Sequence, residues 1–226
     1  MKSAMPYRGV TSPQLRQLLR PILNDPAHQL ATRAQWEHTV RTLWDEASYR
    51  EERYAATALS RHRYYRSHQD SDTIPLYQHM IVTGAWWDHV DEIAAHLIGG
   101  ILLAYPRSEQ PRMREWAHAD DLWLRRTAIL SQLRFADQTS RPLLEATIEA
   151  NLLGSPFGSE FFIRKAIGWA LRQYARTDPA WVAGYVTQLG DRLAPLSRRE
   201  ATKHLTGFAT EPTAETATEP AEPVVG

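Results

Sequence analysis

Cysteine is missing from all 226 residues, which removes disulfides, thiolate metal sites and cysteine nucleophiles together. Lysine is nearly missing: Lys2, Lys165 and Lys203 are the whole set, so almost all positive charge is arginine. Arginine suits bidentate phosphate contacts. A GC-rich genome gives the same bias, and that plainer reading carries more weight. Long apolar runs are missing as well. The longest, Leu97 to Tyr105, falls far short of the roughly 20 residues a bilayer span needs. The N-terminus lacks the basic-then-apolar pattern of a secretory signal, so the sequence points to the cytoplasm and to no membrane partner. Sustained two-residue alternation bounded by turn dipeptides is absent too, which leaves strands without support.

What is present is a large apolar and aromatic share, 43% and 10%, with eight tryptophans, enough for an extended repeat domain or one globular domain. The formal charge of zero hides a partition. From residue 209 onward the chain is Ala, Thr, Pro, Val and Gly with Glu211, Glu215, Glu219 and Glu222 and no base. Without those four, 22 acids face 26 bases, so the body carries about +4. The expected organisation is a folded domain over 1–208 and a disordered acidic tail over 209–226, which lacks the apolar surface to fold.

Helical spacing runs through the rest. Ser12 followed by Pro13 reads as an N-cap with proline in the first turn, opening a helix to about Leu23. Further helices are expected near 33–46, 50–67, 74–83, 87–104, 109–118, 121–135, 141–153, 159–175, 179–189 and 196–206. They fall into pairs. The second member of each carries a charged residue close to a small apolar one, at Arg53, Asp91, Arg126, Lys165 and Glu200, roughly 35–39 residues apart. That period fits two-helix HEAT-class repeats, an all-α fold stacked into a curved solenoid in which equivalent positions share a face.

Helical phase sharpens the picture. At about 100° per residue, Asp91 falls in a sector with Trp87, Ala94, Ala95, Ile98 and Leu102, and Arg126 lies among Leu122, Ile129, Leu130 and Leu133. A charge among apolar neighbours needs compensation. A dipole partner or an Asp91–Arg126 pair across adjacent repeats would supply it, as the alternative to a functional role. Two features favour function. The charges recur at matching repeat positions, and each has a tryptophan within a turn: Trp87, Trp123 and Trp169. Each tryptophan alone has core packing as its plainer reading, with Trp86 the expected core example. Lys165 shares its sector with Phe161, Gly168, Trp169 and Arg172, a mixture suited to nucleic acid, where rings meet sugars or bases and cations hold phosphates. A carboxylate there repels phosphate, so Asp91 needs another purpose. Stabilising a developing cation is one, worth on the order of 4 kcal/mol at about 4 Å and an effective dielectric near 20. That corresponds to roughly a thousandfold in rate. Phase alone does not select the reaction.

Four ordered blocks resemble a known family. They are Trp86-Trp87-Asp88-His89-Val90-Asp91, Trp123-Leu124-Arg125-Arg126, the run from Glu160 to Arg172, and the run from Leu196 to His204. Together, from about Pro6 to His204, the chain resembles the AlkD-like DNA alkylation repair glycosylases. The resemblance implies a HEAT-like stack gripping duplex DNA and hydrolysing the N-glycosidic bond of cationic N3- or N7-alkylated purines, without flipping the base into a pocket. It implies Trp87, Trp169, Asp91 and Arg126 as the catalytic group, with Ser12, Arg16, Arg125, Lys165 and Arg172 toward DNA. No metal or organic cofactor is implied. The expected protein acts as a monomer on duplex DNA containing alkylated bases, in the cytoplasm and at the nucleoid when bound.

Usual members of that family carry one more helical segment before the stretch that begins here, with an aromatic residue facing the lesion. The resemblance therefore describes an N-terminally shortened member or one read from a later start. Two other readings compete with a glycosylase: a shortened DNA-binding paralogue without excision, and a HEAT-type protein-interaction scaffold.

Overall fold

A computed structural model of the chain describes residues 5–205. The acidic tail expected over 209–226 and the last residues of the domain expected over 1–208 lie outside them. Among the described residues the backbone is helix, turn and connecting loop, with no strand. Twelve α-helices are found there: α1 (Ser12–Asn24), α2 (Arg33–Asp45), α3 (Arg50–Ser60), α4 (Ile74–Gly84), α5 (Trp87–Glu92), α6 (Gly99–Ala104), α7 (Pro106–Trp116), α8 (Leu122–Leu130), α9 (Arg141–Glu149), α10 (Phe161–Tyr174), α11 (Pro179–Leu189) and α12 (Pro195–Thr202).

The helix starts are written in the sequence. Proline stands in the first turn of α1, α4, α7, α9, α11 and α12, where a missing N–H costs nothing. Thr11, one residue earlier than expected, is the N-cap of α1, and Gln14 Oε1 accepts its backbone N–H at 2.9 Å. Asp121 caps α8, accepting from the N–H of Trp123 at 2.9 Å and Leu124 at 2.8 Å. Several expected helices differ in the structure, among them the one over 141–153, which ends at Glu149, and the one over 109–118, which begins at Pro106. The one over 50–67 ends at Ser60, because His62 turns extended (ψ 139°) and a 3-10 segment over Arg63–His68 follows. The one over 121–135 ends at Leu130. The one over 87–104 is continuous but widens into a π-helical stretch, Ile93–Ile98, between α5 and α6, where the Gly99 N–H reaches back five residues to Ala94 O.

The helices pack in two rows. α1, α3, α5, α8, α10 and α12 follow one another along one row, each against the next, while α2 packs on α4 and α7 on α9 in the other. α2 lies against α3, α4 against α5, α7 against α8 and α11 against α12, so the unit is a helix pair, as the period anticipates. Burial follows in two clusters. One centres on Trp36, Trp44, Tyr77 and Ile98, the other on Ile163, Ile167, Leu171 and Val186.

Polar rungs join neighbouring pairs. Arg33 to Asp70, Arg50 to Asp88, Asp91 to Arg126, Arg141 to Asp178 and Lys165 to Glu200 each link residues 35 to 38 apart, one repeat length. The sequence period and the inter-repeat ion pairs are the same fact seen twice.

Candidate functional site

α5 carries Trp87 in its first turn and Asp91 one turn later, on the same side. α8 packs against α5 and brings Arg126; α10 packs against α8 and brings Phe162, Lys165, Trp169 and Arg172. The site is thus three adjacent helices of one row, set side by side by the repeat.

Asp91 and Arg126 form a bidentate pair: Arg126 Nε donates to Oδ1 at 2.7 Å and Nη2 to Oδ2 at 2.8 Å. The guanidinium also donates through Nη1 to the Phe162 backbone carbonyl and lies 5.8 Å from the Phe162 ring centroid. Both partners are largely enclosed, with side chains 11% exposed for Asp91 and 5% for Arg126. Burial pushes the Asp91 carboxyl above its usual range, Arg126 pulls it back, and Asp88 adds to the upward push. The cross-repeat pairing weighed from sequence is what the structure contains. Carboxylate and guanidinium are one buried unit here, with both carboxylate oxygens engaged and Asp91 slightly less enclosed than Arg126.

Phe162 is the hub of the surrounding aromatic wall. Its ring lies 5.1 Å from Trp123, 5.9 Å from Trp86 and 5.5 Å from Phe161. Trp86, expected in the core, is instead half-buried at this wall, because it caps α5 in extended conformation (φ −152°) and its ring reaches Phe162. Its Nε1–H is buried and finds no acceptor among the described residues. Trp87 and Trp169 are half-buried, neither sealed in the core nor projecting freely.

Lys165 and Arg172 share one counter-ion. Glu200 of α12 accepts from Lys165 Nζ at 3.2 Å and from Arg172 Nη1 at 2.5 Å. Burial pushes Glu200 up, but these cations outweigh it and hold the carboxyl low. Two cations against one anion leave a net positive group, available to a phosphate although not free of partners. Phe161 is exposed beside it, its ring 6.0 Å from Lys165 Nζ.

Arg125 is a correction. It is expected toward DNA, but the structure buries it at 5% exposure. Its guanidinium donates to the carbonyls of Ala119 (2.5 Å), His118 (3.0 Å) and Ala150 (3.3 Å) and to Asn151 Oδ1 (3.1 Å), while lying over Phe157. It ties the α7–α8 turn to the end of α9 and has no reach to a ligand. Ser12 and Arg16 are exposed on α1, with Arg16 Nε 3.3 Å from Ser12 O, at the end of the row that runs through α3 to α5.

Sequence reasoning missed Phe162, which has no charge and no period to mark it. It placed Glu200 on the repeat without seeing that it neutralises Lys165 and Arg172. It also missed a second buried network one repeat earlier. There Arg50 and Tyr54 both donate to Asp88 Oδ2, and His89, whose Nδ1 has no partner among the described residues, is driven down to about 4 chiefly by burial. Among the described residues no cluster of three or more His, Asp or Glu side chains could hold a metal, and no helix is long and apolar enough to cross a membrane.

Residues 1–205 match a family model described as DNA alkylation repair enzyme. A solved structure described as a predicted DNA alkylation repair enzyme from Enterococcus faecalis superposes with a TM-score of 0.78 at 27% identity, covering 90% of each chain. No curated protein sequence matches significantly.

Proposed function

Because the chain belongs to the DNA alkylation repair enzyme family, we propose that it hydrolyses the N-glycosidic bond of cationic N3- or N7-alkylated purines in duplex DNA. The observation that carries this reading is the Asp91–Arg126 pair, an ion pair held rigidly inside a wall of indole and phenyl rings, beside the net-positive Lys165–Arg172–Glu200 group.

The chemistry follows from charge. An alkylated purine leaves as a neutral base, so the deoxyribose gains positive character as the bond breaks. Asp91 meets that charge, or aligns a water against it, through the small part of the carboxylate left exposed. Arg126 fixes both carboxylate oxygens, so no reorganisation is needed when the cation forms. The guanidinium also reduces the net negative field, which keeps the groove tolerable to a phosphate backbone. Trp87, one turn before Asp91, and Trp169 on α10 would pack against the sugar–phosphate backbone, while the Phe162 wall excludes water from one side. Because the leaving group is already activated, the mechanism needs no general acid and no pocket for an extruded base.

A base-release assay on methylated duplex DNA tests the reading: 7-methylguanine or 3-methyladenine should appear, and no release under any condition would refute it. The extent of burial at Asp91 favours a second reading, in which the pair is a structural rung of a DNA-binding protein without excision. That reading expects salt-dependent duplex binding with no released base.

A further inference from the structure

Away from Asp91, a cavity of about 300 Å³ opens where α8 and α10 end. Its floor is aliphatic, and its rim carries Arg134 after α8 and Arg176 after α10, together with Thr139, Gln173 and Thr177. No carboxylate lines it. Arg134 and Arg176 are exposed and make no ion pair among the described residues, and the side chains of Thr139, Gln173 and Thr177 likewise have no hydrogen-bond partner there. Five donor-bearing side chains from two adjacent repeats thus converge on one space with their donors unused. Elsewhere between these repeats the arginines are partnered: Arg126 donates to the Phe162 carbonyl, and Arg141 to Asp178 and the Tyr174 hydroxyl.

The nearest other basic groups are compensated. Arg61, at the end of α3, pairs with Glu92, and His96, 3.6 Å from the same carboxylate, is driven down to about 4, chiefly by burial, so Arg134 and Arg176 are the charges here without an acid. Arg61, Arg134 and Arg176 stand at or just past the C-terminal ends of α3, α8 and α10, helices of the row that carries the Asp91 site. A cation at a helix C-terminus answers the helix dipole, worth some 0.3–1 kcal/mol. That accounts for one arginine at each end, but not for the missing acids or the three unpartnered donors between them. Arg134 follows the end of α8, the helix that carries Arg126 near its middle, so the cavity and the Asp91 site share that helix.

We propose that Arg134 and Arg176, with Thr139, Gln173 and Thr177, form a phosphodiester clamp for the DNA backbone where α8 and α10 end. The inference rests on DNA being the substrate. Guanidinium groups on both sides of one phosphate give the bidentate geometry they favour, and the hydroxyl and amide groups fix its position. The clamp would add register without base contact, as a repair protein that must scan any sequence requires.

The test is duplex binding by fluorescence anisotropy over roughly 50 to 200 mM salt. Replacing both Arg134 and Arg176 by Ala should weaken binding at least about tenfold and lower the slope of log K against log salt by about one, for the single phosphate the two guanidinium groups hold. The Arg→Lys pair of substitutions should restore most of the slope, since charge is kept, and Arg41→Ala, exposed on α2 in the other row, should leave it unchanged. An unaltered slope in the double Ala variant, with wild-type protein binding DNA normally, overturns the clamp and leaves the glycosylase reading standing. Binding of inorganic phosphate to wild-type protein that the double variant loses, with DNA affinity unaffected, overturns it in favour of a small-phosphate site. Failure of the wild-type protein to bind duplex at all removes both inferences.

Discussion

At the scale of the residue, the proposed function gives Asp91 two jobs, charge at the site and counter-ion to Arg126, and one substitution touches both. Asp91→Asn keeps the shape but removes the charge, so base excision should fall about 10²- to 10³-fold while DNA affinity stays similar or rises, read by single-turnover release and anisotropy. Undiminished release takes the carboxylate out of the mechanism. The same change leaves Arg126 charged and unpaired in an enclosed site, which typically costs about 3–5 kcal/mol of stability. Thermal unfolding must therefore accompany the kinetics, at a temperature where the variant remains folded. His89 supplies a pH prediction. Its folded pKa, about 4, lies below the unfolded value of 6.5, so between those values the unfolded chain binds more protons and stability falls with acidity. Up to about 3 kcal/mol should be lost from this residue alone as pH drops through that window, and His89→Leu should flatten the Tm-against-pH curve over the same range.

The placement of Asp91, Arg126 and Lys165 on successive helices of one row was legible because charge, repeat spacing and helical phase agree on it. Arg125 was misread for a physical reason. Every residue from Leu124 to Leu133 is buried, so α8 has no solvent side by which phase could sort one arginine from the next. What distinguishes Arg125 is a set of carbonyls at helix ends, Ala119 and Ala150 among them, and carbonyl direction leaves no mark in a side-chain pattern. Phe162 was missed because a phenylalanine beside a repeat of apolar residues looks like core until its neighbours from two other repeats are known.

At the scale of the element, the close approach of α12 to α10 depends on Gly168. A Cβ there would stand 2.5 Å from Glu200 Cβ and 2.9 Å from Ser197 O. Gly168→Ala should push α12 outward, costing about 1–3 kcal/mol and loosening the Glu200 counter-ion. Tm should drop, and DNA binding should become more salt-dependent as Lys165 and Arg172 lose that partner. α1 is the opposite case. None of its residues is buried, and Leu18 and Ile22 are 60% and 51% exposed. Its amides should exchange with solvent orders of magnitude faster than those of α8, and proteases should cut first near Asp25–Pro26. Protection of α1 equal to that of α8 would contradict this. Helix starts were legible from caps and prolines; helix ends were less so, because His62 ends a helix through backbone geometry that no breaker residue announces.

At the scale of the whole molecule, the repeat fold was readable because one period appears twice, in the charged anchors and in the rungs that join them. Each rung couples a repeat only to its neighbours, so stability should behave as a sum of local terms. Double substitutions at Arg33 and Lys165, on rungs far apart in the stack, should add within about 0.5 kcal/mol, whereas Asp91 and Arg126 together should show coupling of a kcal/mol or more in a double-mutant cycle.

The wide turn at Ile93–Ile98 bears on how such a stack can change length. A π turn holds one residue more than an α turn, so this one is equivalent to a single-codon insertion absorbed without a loop. Removing one residue there would restore ordinary winding but swing Gly99 and all of α6 by about 100°. The backbone would then lose the close approach of Gly99 to the Ser131 carbonyl, 2.6 Å from where a Cβ would stand. Deletions in this segment should be far more damaging than deletions of equal size in the turn at 151–159, and the extra residue next to Asp91 cannot be shed without dismantling the seam beside it.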